Sequence, residues 1–576
     1  MVLQNVIGFI DFPENAPIRV LDLGCGTGNL LVEIIQRFPN ASIYAVDFSR
    51  AMLDVAKVKL NQHSNIRFME ANIFELDVNA FPYFDVIVTS FVLHNYKSSS
   101  AYKIFFEKCV ELLSVGGRLI YGDLIQYDDE FEKETEQSLQ IEAMKKGGLS
   151  DQEISNWFSI LDAEDTPLPV SQIVEHFLSV GFESIDMIKT GLSAVFASAK
   201  PIDYIQTKAE LLVHGIRGNV LAENAFLVQN PRGIPKTGNN GIFIYLNSSI
   251  QVLVSFLHGK NQTSPYEIKL ENGSMCLTKH ERELGITITI QDFPDWYAVP
   301  ISVTNGNAFP DYFVLEGGKY LHLAYKHCAF TQDKMCQFCS VGRRDLAIST
   351  NQDNDAETIC AVLDEMFTNG YIPNEYHFCL GGGTHLPIHE NVEFFSKIIK
   401  CIRKYSSKES GNNPIWVEMI PPKDAEIQRL IEDGATSFGF NIEVFTQNLR
   451  DKYCPGKNEL ASVSRYYDAF DKVTAVLGHN KVGSCVIVGL DTPENIMKGI
   501  DILVAHNSFP CILPLKFFDE AQVEIDENSI DLLERDFVTI SQYAAIKVRN
   551  RGINVTQNEG CMLCSCCTII HDILIY

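Results

Sequence analysis

The sequence predicts an α/β protein: two α/β blocks of different build, joined by a β-rich connector. Three observations lead to this. Over residues 1–200, short β-branched runs (IRVLDLG, ASIYAVD, DVIVTSFV, GGRLIYGDL) alternate with amphipathic stretches of helical length, the pattern of a doubly wound sheet. From 319 to 550 the rhythm returns through KYLHLAYK, EYHFCLGG, PIWVEMIPP, TSFGFNIEVF, VGSCVIVGL and PCILPLKFF. Six such strand-and-helix repeats predict a partial (β/α)6 parallel barrel, with its chemistry at the carboxyl ends of the strands. Residues 201–318 carry Gly, Asn and Pro clusters and β-rich runs such as GIFIYLNSSIQVLVSFLHG and GITITIQDF, with no chemical motif. A cysteine-rich segment, 551–576, completes the sequence.

Composition narrows the function. At 576 residues the chain exceeds one hydrophobic core, since domains run to about 100–200 residues. With 46% hydrophobic and 21% charged residues it is globular, which excludes wholesale disorder. A net charge of −26 argues against nucleic acid as a partner, because sequence-blind binding relies on neutralising phosphates. No apolar run is long enough to span a bilayer, and Met1 to Pro13 lacks the zones of a signal peptide. A cytoplasmic protein without a membrane partner is therefore expected. Sixteen cysteines in such a chain point to metal or catalysis before disulfides.

Asp22-Leu-Gly24-Cys-Gly26-Thr-Gly28 follows the first strand and opens a helix. Glycines there let backbone pass close to a ligand where a Cβ would collide. The second strand ends in Asp47, placed to accept hydrogen bonds from a ribose. The bland reading is a glycine-rich turn without ligand. The strand–turn–helix setting, with an acid closing the next strand, favours a nucleotide-type site.

These residues resemble the class I S-adenosylmethionine-dependent methyltransferases over roughly residues 15–200. VLDLGCGTG matches the family's first motif and AVDFSRAMLDVAK its second, in which Asp47 would hold the ribose hydroxyls. EANIFEL resembles the third, with Asn72 where the family often has an aspartate near adenine; SFVLHN and GGRLIYGDL match the fourth and fifth. The resemblance implies a Rossmann-type sheet with S-adenosylmethionine on Asp22, Gly24, Gly26, Gly28, Asp47 and Asn72. Two features depart from the family: the cap before the first strand is short, and no acceptor-specific motif is visible. His94 is a candidate general base for the methyl acceptor, or else a locally hydrogen-bonded residue.

KYLHLAYKHC delivers Cys328, followed by Cys336 and, closing CQFC, Cys339. Three thiolates in one loop can hold a metal centre while leaving one coordination position free. A closed zinc site takes four ligands, and His327 or His322 is available as the fourth. The loop follows the first barrel strand, has Phe338 just before its last cysteine, and resembles the radical S-adenosylmethionine superfamily over roughly 319–550.

That resemblance implies a [4Fe–4S] cluster on Cys328, Cys336 and Cys339, with S-adenosylmethionine chelating its fourth iron. Reductive cleavage would then give a 5′-deoxyadenosyl radical that abstracts hydrogen from substrate. Gly381-Gly382-Gly383 looks like the glycine–glycine–acidic element that binds the methionine amino group, with glycine in place of the acid. FNIEVF and the later arginine place Asn441, Glu443 and Arg450 like the ribose and carboxylate contacts of the lipoyl-synthase type, and VIVGLDTPEN resembles an element beside adenine. Seven residues, not the usual three, separate the first two cysteines. Such chemistry calls for an electron donor such as ferredoxin or flavodoxin and for an enclosing barrel, with the β-rich connector as the expected cover.

Cys561, Cys564, Cys566 and Cys567 suggest a second centre: an auxiliary iron–sulfur cluster, zinc, or redox thiols. Adjacent Cys566 and Cys567 point apart, so the four are not expected to share one ion. Cys454 is either a radical-quenching thiol near the active face or a small buried residue. Cys109, Cys276, Cys360, Cys401, Cys485 and Cys511 read as core or surface thiols, and Trp157 and Trp416 as packing residues. The expectation is a bifunctional enzyme using S-adenosylmethionine twice, for polar methyl transfer and for radical chemistry, on a small-molecule or peptide substrate. Two alternatives stay open. The radical half is itself a methylase or sulfur-inserting enzyme with an auxiliary cluster, or the chain is a zinc-stabilised methyltransferase with a non-catalytic carboxyl-terminal binding module.

Overall fold

The computed structural model describes every residue except 97, 230–240, 257–262, 305–306, 325–327, 340–354, 385, 407–411, 517–522, 524–526 and 576. The chain forms two compact units: Met1–Asp203 with Lys279–Leu284, and Tyr204–Thr278 with Gly285–Tyr576. Among the described residues no helix is long and apolar enough to cross a membrane.

The first unit is built on strands β1 (Arg19–Leu23), β2 (Ser42–Asp47), β3 (Ile66–Glu70), β4 (Phe84–Ser90), β5 (Leu113–Leu124), β6 (Asp186–Thr190) and β7 (Ser193–Ala199). They order as β3-β2-β1-β4-β5-β7-β6. Strands β1 to β5 run parallel, and β7 lies antiparallel to both β5 and β6. Residues Val20 to Leu23 of β1 are all buried, as expected of a central strand covered on both faces. Leu30, Leu31, Ile34 and Ile35 give the helix Asn29–Arg37 its one buried stripe. The strand order reverses between β1 and β4, and such a switch point opens a crevice at the carboxyl ends of the strands.

The hairpin tip Lys279–Leu284 belongs to this unit. Buried Asp85 accepts from Arg19 N (2.9 Å) and Ser114 Oγ (3.0 Å) and pairs with Lys279 (2.9 Å) and His280 (3.4 Å). Burial works against this carboxylate, yet the two cations hold its pKa well below the usual range.

The second unit opens with two helices, Tyr204–His214 and Val220–Gln229, where the sequence reading expected mostly β structure. Strands β8 (Gly241–Leu246), β9 (Ile250–Ser255), β10 (Tyr266–Glu271), β11 (Ser274–Lys279) and β12 (Arg282–Ile290) form a sheet in the order β10-β11-β12-β8-β9. Of residues 201–318, Pro201–Asp203 and the tip of the β11–β12 hairpin group with the first unit, and the remainder with the second.

The third sheet keeps sequence order from β13 (Phe313–Glu316) and β14 (Tyr320–Leu323) through β15 (His377–Leu380), β16 (Ile415–Glu418), β17 (Ser437–Gly439), β18 (Val482–Val488) and β19 (Phe509–Pro514). Strands β14 to β19 are parallel, at the six runs read as strands, and they curl into a half-barrel. An antiparallel strand ahead of residue 319, β13, extends the edge. Helices Ala356–Thr368, Ile388–Tyr405, Asp424–Asp433, Val463–Leu477 and Pro493–Ala505 alternate with these strands. Phe378 packs on Phe367 of the first helix, so strand alternation turns its neighbour Cys379 to the opposite, concave face.

Candidate active sites

The crevice of the first unit is shaped by its three glycines, each with positive φ (Gly24 +82°, Gly26 +52°, Gly28 +76°). A Cβ on Gly24 would lie 2.3 Å from Val92, and one on Gly28 about 3.2 Å from Ala56, so these two permit close packing. A Cβ on Gly26 would meet no atom within 4 Å. Gly26 is thus the open wall, and a ligand there can lie against bare backbone. Asp47, at the end of β2, accepts from Gly26 N and Ser49 N, both at 2.8 Å, which ties the glycine turn to the acid.

Asp22 is buried beneath the turn, and neither of its carboxyl oxygens has a hydrogen-bond partner. Burial, then the charge of Asp47, pushes its pKa up to about 8. A buried carboxyl without a donor suits an incoming ammonium, so the site fits a ligand with an adenosine-like ribose and a cationic end. Asn72 sits at the end of β3 with its side-chain oxygen accepting from Phe74 N (3.1 Å), so that oxygen is already engaged.

His94 follows β4. Its Nδ1 stands 2.5 Å from Asp123, which also accepts from the N–H groups of Leu93, His94 and Leu124 and from the Tyr121 hydroxyl. Burial alone would lower the imidazole pKa, but the Asp123 hydrogen bond and charge, with Asp165, hold it above its usual value. Its Nε2 lies 3.1 Å from Asn95 Nδ2 and 3.7 Å from Asp165. Asp123 and Asp165, unmarked in the sequence reading, thus define the state of this ring. Phe91, non-glycine at φ +58° and 42% exposed, is a further strained residue at the same strand end.

In the second unit one cleft gathers Cys328, Cys336, Phe338, Cys339, Gly382, Gly383, Asn441 and Glu443. These come from three regions read separately in the sequence. Cys328 bridges to Thr384, and Ala329 N donates to Thr384 O (2.8 Å), which pins the cysteine loop to the turn after β15. The loop is clamped from the other side by Gln337 N to Tyr453 O (2.9 Å) and Gly456 N to Lys334 O (3.0 Å). Gly456 is required there, since its Cβ would fall 2.6 Å from Lys334 O and the Phe330 ring.

Two expectations need correction. Gly381 is not among the lining residues; its Cβ would meet that of Glu418 at 3.0 Å, so it serves strand packing while Gly382 (φ +120°) and Gly383 (φ +151°) face the cleft. Arg450 does not line the cleft either. It is fully buried, its Nη1 donating to Ile442 O (2.8 Å) and Val444 O (3.1 Å), because the backbone that turns at Glu443 (φ +66°) leaves carbonyls needing donors. Arg450 therefore braces the loop that presents Asn441 and Glu443.

Glu443 pairs with Lys457 (2.7 Å), a residue unmarked in the sequence reading that also lines the cleft. Cys454 is wholly buried, and its thiol, Cys336 and a Glu443 oxygen lie within 4.8 Å of one another. Cys328, Cys336 and Cys339 line the cleft and Cys454 does not, so Cys454 adds a buried thiol beside Cys336 outside the lining. That donor set fits a cluster with one open coordination position.

His322 is not the partner of these cysteines. It faces Cys379 and Cys561 (3.9 Å from Nδ1 to Sγ) on the concave side of the barrel; His327 lies outside the described residues. Cys566 and Cys567 do not point apart as expected: their sulfurs lie 3.7 Å from each other, and Cys566 Sγ lies 3.2 Å from Cys564 Sγ, because the chain turns tightly after the short helix and gathers the thiols on one side. Trp157 packs against the first unit's core and Trp416 is buried against Gly439 and Gly560, as packing residues do.

Residues 20–117 match the family model for a methyltransferase domain. The chain is 38% identical over 81 residues to malonyl-[acyl-carrier protein] O-methyltransferase of Halalkalibacterium halodurans, which covers 14% of this chain and 30% of that protein. It is 32% identical over 111 residues to demethylmenaquinone methyltransferase of Thermus thermophilus, 19% of this chain and 47% of that one. It thus spans less than half the length of both relatives. Carboxy-S-adenosyl-L-methionine synthase of Campylobacter jejuni subsp. doylei is 29% identical over 177 residues, 31% of this chain and 73% of that protein. Human N-acetylserotonin methyltransferase, solved with S-adenosylmethionine, aligns at 19% identity over 35% of this chain and 52% of its own, with a TM-score of 0.26.

Sheet order, glycine turn and family match define the amino-terminal region as a Rossmann-type α/β domain of the ligand-binding kind. It is a class I S-adenosylmethionine-dependent methyltransferase domain.

Proposed function

We propose that the protein is a bifunctional enzyme in which a methyltransferase and a radical S-adenosylmethionine enzyme share one chain. In the first unit Asp47 takes the ribose hydroxyls, Gly26 lets the ligand lie against backbone, Asp22 receives the methionine ammonium and Asn72 contacts adenine. Holding the methyl group in line with an acceptor nucleophile lowers the barrier chiefly through orientation. His94, fixed by Asp123, takes the acceptor proton.

In the second unit Cys328, Cys336 and Cys339 would hold a [4Fe–4S] cluster, which supplies one electron for reductive cleavage of a bound sulfonium. The residues around it position and shield. Gly382 and Gly383 would offer backbone carbonyls and Asn441 and Glu443 polar side-chain contacts to the cofactor, Phe338 would shield the cysteine loop, and Arg450 keeps the Asn441–Glu443 loop in place. Lys457 balances the Glu443 charge, and Cys454 lies behind Cys336 as a thiol within reach of the centre. A one-electron donor of ferredoxin or flavodoxin type would supply the electron, and a small molecule or peptide would be the substrate of consecutive steps.

The observation that carries this reading is the convergence of three cysteines of one loop with Gly382, Gly383, Asn441 and Glu443 on one cleft. Anaerobic reconstitution with iron and sulfide, followed by assay with a strong reductant, tests it. Release of 5′-deoxyadenosine is expected, is abolished in Cys336→Ala, and is unchanged in Asp47→Ala. The Asp47 variant instead loses binding of S-adenosylhomocysteine by calorimetry, by about tenfold or more, since hydrogen bonds to a charged group contribute about 1.5–3 kcal/mol. A colourless protein that releases no 5′-deoxyadenosine sinks the radical half and leaves the methyltransferase half standing.

A further inference from the structure

We propose that the concave face of the half-barrel holds a single tetrahedral metal ion of zinc type on His322, Cys379, Cys561 and Cys564. It is separate from the three-cysteine cleft and rests on donor geometry alone. His322 of β14 and Cys379 of β15 are partners in register on adjacent parallel strands, so their side chains stand next to each other on one face. The short helix Cys561–Cys564 brings two thiols to the same place.

The donor atoms of His322, Cys379 and Cys561 all lie within 4.8 Å of one another, as do those of Glu316, His322 and Cys564. A tetrahedral ion with metal–sulfur bonds of about 2.3 Å and metal–nitrogen bonds of about 2.0–2.1 Å sets its donors about 3.5–3.8 Å apart. The separation of 3.9 Å between His322 Nδ1 and Cys561 Sγ is close to that edge. The two triads share His322, which brings Cys564 to the same imidazole as Cys379 and Cys561. Three thiolates and one imidazole make a closed, soft set that suits zinc and leaves no position for substrate.

The surroundings fit as well. His322 Nε2 stands 3.1 Å from Glu316 Oε2, the carboxylate that orients a ligating imidazole through its other nitrogen. Gly560, just before the first cysteine ligand, donates its N–H to His377 Nδ1 (3.2 Å) and lies against Trp416. Met562, between the two cysteines, touches Gly483 of β18. Neither Cys566 nor Cys567 belongs to the two triads, although Cys566 Sγ stands 3.2 Å from Cys564 Sγ as a neighbouring thiol. The ion therefore fastens to the half-barrel a segment whose regular structure is short throughout: 555–557, 561–564 and the helix Ile570–Ile575. Each ligating thiol gives up its proton on binding.

Metal analysis of the full-length protein, purified anaerobically, tests this. About one zinc per chain is expected, retained in Cys336→Ala and Cys566→Ser and lost in Cys379→Ser and Cys561→Ser. Glu316→Gln should weaken zinc affinity by about 10–100-fold in chelator competition. Because the serine variants risk misfolding, cobalt(II) loaded into the wild-type chain gives a second readout, the visible ligand-field bands of a tetrahedral thiolate site, shifted in His322→Ala. Zinc that persists in Cys379→Ser and Cys561→Ser overturns the assignment. So does a chain that takes up neither zinc nor cobalt, and so does iron with inorganic sulfide that tracks these cysteines and not Cys336.

Discussion

Asp22 shows what a single buried side chain contributes. Its carboxyl has no partner in the protein and its pKa rises from 3.8 to about 8, first through burial and then through Asp47. An acid raised on folding binds a proton more tightly in the folded state. Its contribution is complete below the unfolded pKa and is lost as pH climbs through the folded one. The first unit should therefore lose stability between about pH 4 and pH 8, with a slope of up to about 1.4 kcal/mol per pH unit. Thermal melts across that window should show the trend in the wild type and a flatter profile in Asp22→Asn; equal profiles refute the role. The glycine turn and Asp47 were legible because their spacing is local. The bracing role of Arg450 was not legible, because only the folded chain shows which carbonyls its guanidinium satisfies.

The helix Tyr204–His214 escaped the sequence reading because no single face of it is apolar: Gln206, Thr207, Lys208 and Glu210 are as buried as Leu211 and Leu212. What holds it is polar pairing. Lys208, with no exposed surface, donates to Asp572 and to the Ser565 carbonyl, both at 2.8 Å. Breaking such a pair leaves a charge uncompensated inside the protein. Lys208→Met should cost about 3–5 kcal/mol in urea unfolding, with much of it restored in the double variant Lys208→Met, Asp572→Leu. A loss below about 1 kcal/mol, the scale of an exposed pair, counts against this anchor. The barrel strands, by contrast, were readable as continuous apolar runs, since parallel strands are covered on both faces.

At the scale of the whole molecule, the chain resolves into two units, and the proposed function gives each its own ligand. In the Cys336→Ala protein, S-adenosylhomocysteine at about 100 times its Kd should stabilise the first unit by about 2.7 kcal/mol, raising one calorimetric transition by about 5–10 °C and leaving the other in place. Movement of both transitions, or of neither, contradicts two separable sites. The sequence by itself determined the strands, the glycine turn with Asp47, and the loop of three cysteines, because each is written in neighbouring residues whose spacing answers to a period or a motif. Only the tertiary structure decided that β13 and two helices join the second unit, that Lys457 and Glu443 share the cysteine cleft, and that His322 and Cys379 face Cys561. Such pairings join residues far apart in the chain through strand register and burial, and no local spacing records them.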